Sequence, residues 1–342
     1  MNGDRGIHRP TLEAVADDGN SPPAKDASDH GFVRPKWFGM LAEHCFADQR
    51  LIQCTAQAGR AKVTLPLIDQ GDRACALANY YSFSYGPMFE AASNPDTRLT
   101  LVRKVAADLR KSHNRISLYP LVDDSGTADM LRRAFASAGW IALLTDQNSN
   151  HVLDINGRDF AAYWEARPGN LRSAVKRKRK HGRYSYEIYE TVSERLWNDY
   201  LSVYRASWKN AEPYPDMVRA IAEDAAKRGV LRLGFAREGE RPVATQVWTI
   251  EHKTACIHKI AHNSSDDTGS PGTLLSHHMF AHMIDSEQVA QIDYGTGGNV
   301  YKRDWMERER PMLRLDCFDP RKAAMWLPAL KTRISQLVRR PS

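Results

Sequence analysis

The stretch from Leu231 to Trp305 constrains what this chain can fold into more than any other. Three short strand-like runs come first, Leu231–Phe235, Val243–Thr249 and Ala255–Ala261, joined by the turn-like EGERP and EHKT. Such runs with tight connections predict an antiparallel meander. The chain then breaks over 263–270, opens a helix on Pro271-Gly272-Thr273 and returns as a strand over Val289–Tyr294. Proline at the first helical position brings no N–H, and the N–H groups just after it have no partner within the helix. A strand feeding such a helix end gathers unpaired donors at one point, which suits a phosphate.

With 342 residues the chain has room for two domains of ordinary size. Apolar residues make up 42% and there are eight tryptophans, enough for packed cores, which excludes a disordered chain. Cys45, Cys54, Cys75, Cys256 and Cys317 are odd in number and form no CxxC pair. They predict reduced, packed thiols, not a disulfide framework or a zinc site. No apolar run reaches the roughly 18 residues of a membrane span, and no basic region leads into an apolar stretch at the N-terminus. The expectation is a soluble, cytoplasmic protein.

The net charge of +7 is uneven. Residues 1–150 carry 17 Lys and Arg against 17 Asp and Glu, so the whole excess lies in the second half. Residues 171–183, LRSAVKRKRKHGR, hold seven basic side chains and no acid, and six more follow Asp319 without an acid. A cluster that dense attracts phosphates, carboxylates or anionic lipid headgroups.

Residues 1–30 lack periodicity and predict a flexible tail. Thereafter the patterns predict a helix over Trp37–Phe46, strands over Ala61–Ile68 and Ala74–Phe83, and an amphipathic helix over 97–112 carried by Leu101, Val105 and Leu109. A strand over Arg115–Leu121, a helix over Ser125–Ala138 closed by Gly139, and a strand over Trp140–Leu144 follow. The second half starts with a strand over His151–Ile155 and a helix over Gly157–Arg167. The basic helix, a strand over Tyr184–Tyr189 and helices over 193–208 and 215–228 precede the meander. A strand near Met312–Cys317 and a helix from Arg321 to about Val338 close the chain. The alternation predicts α/β architecture with mixed sheets.

Three segments in order, FAAYWEARPGNLRSAVKRKRKHGR, SPGTLLSHHMFAHMI and QIDYGTGGNVYKRDWMERER, resemble the BioF2-like or CelD-like acyltransferases of the GNAT superfamily, distant relatives of the FemAB peptidyltransferases. The resemblance covers residues 37–320 and is strongest over 159–310. It implies two tandem GNAT-like domains, 31–150 and 151–342, with the acyl-donor site in the second, and acyl transfer to an amine, often in polysaccharide or envelope biosynthesis. In that fold the strand before the Pro-Gly helix splays from its neighbour, and a pantetheine arm bonds the exposed edge like an added strand. The resemblance therefore implies Ile260, Ala261 and His262 as that edge, and Ser270, Pro271, Gly272, Thr273 and Leu274 as the diphosphate cradle. An ordinary proline-started helix is the alternative.

Asp293-Tyr294-Gly295-Thr296-Gly297-Gly298 ends a strand in a glycine-rich loop. Val300 stands where a dinucleotide fingerprint needs glycine, and no GxxxxGK loop occurs. The resemblance implies that this segment, with Tyr301, Lys302 and Trp305, lies near acceptor and thioester. Asp293 would take a proton from the attacking amine or orient it; otherwise it caps the loop. Lys302 would bind a phosphate or carboxylate or support the oxyanion; otherwise it is a solvated charge. Tyr301 joins these two as a catalytic candidate, and Trp305 is a candidate for acceptor binding. Thioester-to-amine transfer draws much of its rate from proximity and needs no covalent intermediate.

On the basic helix Arg172, Lys176, Arg179 and Arg183 share one side, with Leu171 and Val175 as inward anchors. They would bind an anionic acceptor, a carrier-protein surface or the donor's 3′-phosphate, or form a solvated face. His278 and His282 have the spacing of two metal ligands but no third nearby, so packed or exposed histidines are expected. Tyr80, Tyr81, Phe83 and Tyr85 would line an acceptor cleft or fill a strand core.

The sequence thus predicts a tandem-GNAT N-acyltransferase that uses acyl-CoA (acetyl-CoA or longer) or acyl carrier protein, without a metal. Its acceptor would be the amine of a sugar nucleotide, amino acid or envelope precursor. One alternative is a Fem-like transferase taking aminoacyl-tRNA, the one case in which nucleic acid binds. The other is a non-catalytic module of the same fold that binds an anionic partner.

Overall fold

A computed structural model describes residues 31–122, 124, 126–297 and 300–338; the expected tail, 1–30, lies outside them. The first half contains α1 (Pro35–His44), β1 (Arg50–Ala58), β2 (Ala61–Asp69), β3 (Arg73–Ala76) and β4 (Met88–Glu90). It continues with α2 (Pro95–Leu109), β5 (Arg115–Leu121), α3 (Thr127–Ser137) and β6 (Ile141–Asp154). The second half opens with α4 (Phe160–Glu165), α5 (Gly169–Arg179), β7 (Ser185–Tyr189), α6 (Glu194–Arg205) and α7 (Pro215–Lys227). The meander β8 (Leu231–Glu238), β9 (Arg241–Glu251) and β10 (Thr254–His262) leads to α8 (Pro271–Ala281) and β11 (Gln291–Thr296). The chain ends with α9 (Val300–Trp305), β12 (Arg308–Phe318) and α10 (Trp326–Val338).

All strands join one mixed sheet, ordered β1-β2-β3-β5-β12-β6-β11-β10-β9-β8-β7, with β4 beside β2. Both halves of the chain therefore share one sheet. β12 pairs with both β5 and β6, so the last strand of the sequence is built in among strands of the first half. The two strands expected at Trp140–Leu144 and His151–Ile155 are one, β6, and residue 150 falls inside it. Its polar middle, Asp146 to Asn150, reads as a loop but is held in the ladder by Leu313, Met312, Pro311 and Arg310 of β12. β1 escapes the sequence patterns because it is an edge strand, half-exposed along its length. The strand expected over Ala74–Phe83 stops at Ala76: Asn79 turns the chain, taking the Tyr81 N–H on its side chain and the Ser82 N–H on its carbonyl.

The meander forms as expected. β8 is buried over seven successive residues and β9 over seven, as strands covered on both faces must be. One core continues from α1, α2 and α3 under α6 and α7. A second gathers Trp248, Phe280, Met279 and Trp305 between the meander, α8, α4 and α5. A parallel pair needs a crossover, and the segment bearing α8 supplies it between β10 and β11. Among the described residues no helix is long and apolar enough to cross a membrane.

Leu315 is fully buried on β12, opposite Leu118 of β5 and Leu144 of β6. Leu315→Ala should destabilise the protein by about 3 kcal/mol. Because the first core runs from α1, α2 and α3 on to α6, α7 and β8, denaturant titration should still show a single transition.

Candidate active site

β10 and β11 pair over three registers only, Thr254–Gln291, Ala255–Ile292 and Cys256–Asp293. β10 then bulges, its register with β9 slipping between Ile257 and Lys259, and stays bonded to β9 as far as His262. β11 is drawn the other way, to β6, where Thr296 meets Asn150. The strands part, and the β10 edge from the bulge to His262 has no strand beside it among the described residues.

Phe83 lies across the base of this opening. Its ring is 5.3 Å from that of His258 at the bulge, and a Cβ on Gly295 of β11 would come within 3.1 Å of it. Gly295 also has φ +70°, a conformation side chains resist. His258 bonds Thr249 Oγ1 at 2.9 Å, and burial, with Lys259 and Arg228 adding repulsion, lowers its pKa to about 3. The imidazole is neutral.

α8 starts at the mouth of the opening. Ser270 adopts φ 54°, ψ 45° and its side chain does not cap the helix. Pro271 has no N–H, and the Leu274 N–H bonds the Ser270 carbonyl. Among the described residues the Gly272 and Thr273 N–H groups meet no acceptor, so two donors at the positive end of an eleven-residue helix remain open. His262 lies against them: a Cβ on Gly272 would stand 2.8 Å from its Nδ1, while its Nε2 bonds Asp267 at 2.7 Å. Ala261 and Pro271 are buried; Ile260, Ser270, Gly272 and Thr273 are partly accessible.

Successive residues of a strand face opposite sides, and β11 uses both. Ile292 and Tyr294 enter the α8-side core, whereas Asp293 faces a cavity of about 440 Å³ that also takes in Phe83, Cys256, Glu251 and Arg310. Asp293 Oδ2 accepts from Asn150 Nδ2 at 2.9 Å and Arg310 at 2.6 Å, and Oδ1 from the Gly295 N–H at 2.8 Å. Burial raises its pKa above the usual carboxylate value, opposed by Arg310, Gly295 and Asn150. Oδ1 keeps one acceptor direction unfilled.

Tyr301 stands on the α8 side, its hydroxyl 3.0 Å from Ser276 Oγ, which also takes the Gln246 amide at 2.8 Å. Burial raises its pKa, so the phenol is neutral. Lys302 Nζ donates to the Tyr294, Gly295 and Thr296 carbonyls at 3.0, 3.4 and 2.6 Å. Burial lowers its pKa to about 8. With three carbonyls engaged, the ammonium holds the end of β11 and is not aimed at a thioester oxygen. Trp305, expected near the acceptor, is fully buried and packs on Phe280 at 4.9 Å, so it is a core residue.

Helix α5 turns Leu171 and Val175 inward and leaves Arg172, Lys176, Arg179 and Lys180 along an open groove of about 770 Å³ floored by Trp164 and His277. None of these four cations pairs with an acid among the described residues. Arg183 differs: past the end of the helix, it pairs with Glu238 and Asp266. His278 stacks on Tyr186 and His282 bonds Glu287 at 3.1 Å, so the two share no ligand.

Glu212, in the α6–α7 connection, belongs to no sequence motif yet lies at the centre of a polar cluster. Its carboxylate accepts from Tyr80, Tyr81, Tyr204 and Lys259, at the floor of a surface pocket of about 440 Å³ that Trp208 and Lys209 also line. Burial and Lys259 lower the Lys209 pKa to about 8. The available signal was a lone acid among Tyr204, Trp208 and Tyr214. Tyr81, Phe83 and Tyr85 are buried while Tyr80 is exposed, so that group divides between core and pocket.

Gly295→Ala should cost about 2 kcal/mol from backbone strain and the Phe83 contact. In a double-mutant cycle Phe83→Ala should recover part of that loss; additive losses would show that the ring does not bear on Gly295.

Residues 166–303 match the family model described as an acetyltransferase (GNAT) domain. Three solved structures share the fold. One is the C-terminal domain of a protein assigned as a lysylphosphatidylglycerol synthetase from Agrobacterium fabrum, with 14% identity, TM-score 0.54, and 88% of this chain and 93% of that one covered. Another is L-PGS from Bacillus licheniformis, with 12% identity, TM-score 0.54, and 90% and 98% covered. The third is FemX, with 9% identity, TM-score 0.58, and 83% and 91% covered. No curated protein matches the chain in sequence. The parted strands and the open helix end both lie within residues 166–303, the part of the chain that matches the GNAT acetyltransferase domain model, and the mixed α/β fold around it is the one these three structures share.

Proposed function

We propose that the protein is an N-acyltransferase that moves an acyl group from a phosphopantetheine thioester, on CoA or an acyl carrier protein, to an amine. The observation that carries this reading is the parting of β10 from β11 beside the open N–H groups of Gly272 and Thr273. The β10 edge from the bulge to His262 would pair with the amides of the pantetheine arm. Gly272 and Thr273 would take the diphosphate of CoA or the phosphate of a carrier's arm, aided by the helix dipole. The acceptor would enter from the opposite face, through the cavity at Asp293.

In the reaction the amine nitrogen bonds the thioester carbon and the C–S bond breaks. The free acceptor direction on Asp293 Oδ1 orients the amine and takes its proton, while the neutral Tyr301 hydroxyl, across the sheet, supplies one to the departing thiolate; exchange with solvent then removes the proton from Asp293 and returns one to Tyr301. The order of motifs supports a BioF2-like or CelD-like transferase with an acceptor in polysaccharide or envelope biosynthesis and a cytoplasmic setting. A second reading, aminoacyl-tRNA as donor, is favoured by one feature, the unpaired cations Arg172, Lys176, Arg179 and Lys180, which would meet RNA phosphates.

Intact-mass analysis under native conditions should find CoA or acyl-CoA on the purified protein, and added CoA should raise its melting temperature. In a His262→Ala background, which clears the 2.8 Å contact, Gly272→Asp should weaken CoA binding about tenfold or more, as expected for a carboxylate against a diphosphate. Asp293→Asn should lower kcat with little change in donor affinity and remove the acid limb of the pH profile. Salt-sensitive tRNA binding without CoA binding would favour the second reading. Binding neither would leave a non-catalytic module with an anionic partner.

A further inference from the structure

Helix α10 is built inside out. Toward β6 it turns Ala329, buried in one cluster with Phe318 and with Met325 of the preceding turn, and Gln336, which bonds the Leu144 carbonyl. Four large apolar side chains face away, Trp326, Leu327, Leu330 and Ile334, exposed by 63, 61, 54 and 50%. At about 100° per residue these four fall within one arc of roughly 100°. Arg333 borders the arc on one side and Lys331 on the other, both exposed. The Trp326 indole N–H donates to the Pro320 carbonyl at 2.9 Å, which fixes the ring in its outward position.

We propose that α10 is a membrane-surface helix that seats this face in the interface of an anionic lipid bilayer. An apolar arc with a tryptophan at one end and cations on both flanks matches the layering of that interface: acyl chains below, headgroup phosphates at the borders. The charge identifies the occupant. No acid follows Asp319, and besides Arg321, which Asp319 holds, five basic residues do; such an excess attracts anionic headgroups. The same charge opposes a second copy of the chain, whose matching face would bring like cations together. At thirteen residues the helix is about 20 Å long, too short for a hydrocarbon core of about 30 Å, so it lies in the surface and does not cross it. The inference is independent of the acyl-transfer reading.

The test is co-sedimentation of the full chain with phosphatidylcholine vesicles, with and without phosphatidylglycerol. The protein should pellet with the mixed vesicles and far less with phosphatidylcholine alone. Leu330→Asp combined with Ile334→Asp should abolish binding. Lys331→Glu combined with Arg333→Glu should reduce it by about tenfold or more. Both pairs are on the surface and should leave the melting temperature and CoA binding unchanged. No pelleting of the wild type, or equal pelleting of wild type and variants, overturns the proposal. So does a wild-type dimer in light scattering that Leu330→Asp with Ile334→Asp converts to monomer, since the face would then belong to a second copy.

Discussion

The site depends on one constraint: β10 and β11 share only three registers before each follows a different neighbour. β10 is bonded along its whole length to β9, and β11 is drawn to β6, so beyond Cys256 and Asp293 the two cannot remain paired. The bulge at His258 adds to the divergence, as an extra residue on one strand bends it. The first half contributes Phe83, whose ring lies under the opening and needs glycine at 295. Lys302 then ties the loose end of β11 through three carbonyls. A gap in a sheet would normally expose unpaired backbone groups without use; here it lies beside a helix end whose donors are also open.

Charge divides the surroundings of that gap into satisfied and unsatisfied groups. Glu212 has four donors, and Arg183 has two acids. Asp293 is buried beside Arg310, yet one of its oxygens has room for another donor. The Gly272 and Thr273 N–H groups and the α5 cations are open as well. A buried pair broken on one side costs several kcal/mol, so Asp293 and Arg310 form a fixed unit, whereas the open groups are those a ligand can engage without breaking protein contacts.

What the sequence made legible was whatever local pattern governs. The meander, the proline-started helix and the inward Leu171 and Val175 follow from periodicity and end signals within a few residues. What it hid depends on distant partners. The polar run 146–150 looks like a linker until β12, over 150 residues later, closes the ladder on it. Lys302 looks like a free cation until its three carbonyls are seen, and Trp305 looks like a platform until Phe280 and Trp164 enclose it. Glu212 sits in a proline-marked turn, and its weight comes from Tyr80 and Tyr81, over 130 residues earlier.

The central claim is that the parted edge of β10 and the first turn of α8 together hold a thioester carrier. Amide hydrogen exchange followed by mass spectrometry, with and without coenzyme A, tests it most directly. The account predicts slowed exchange confined to peptides spanning Ile257 to Leu274. Unchanged exchange there, with slowing over 172–180 instead, would contradict it.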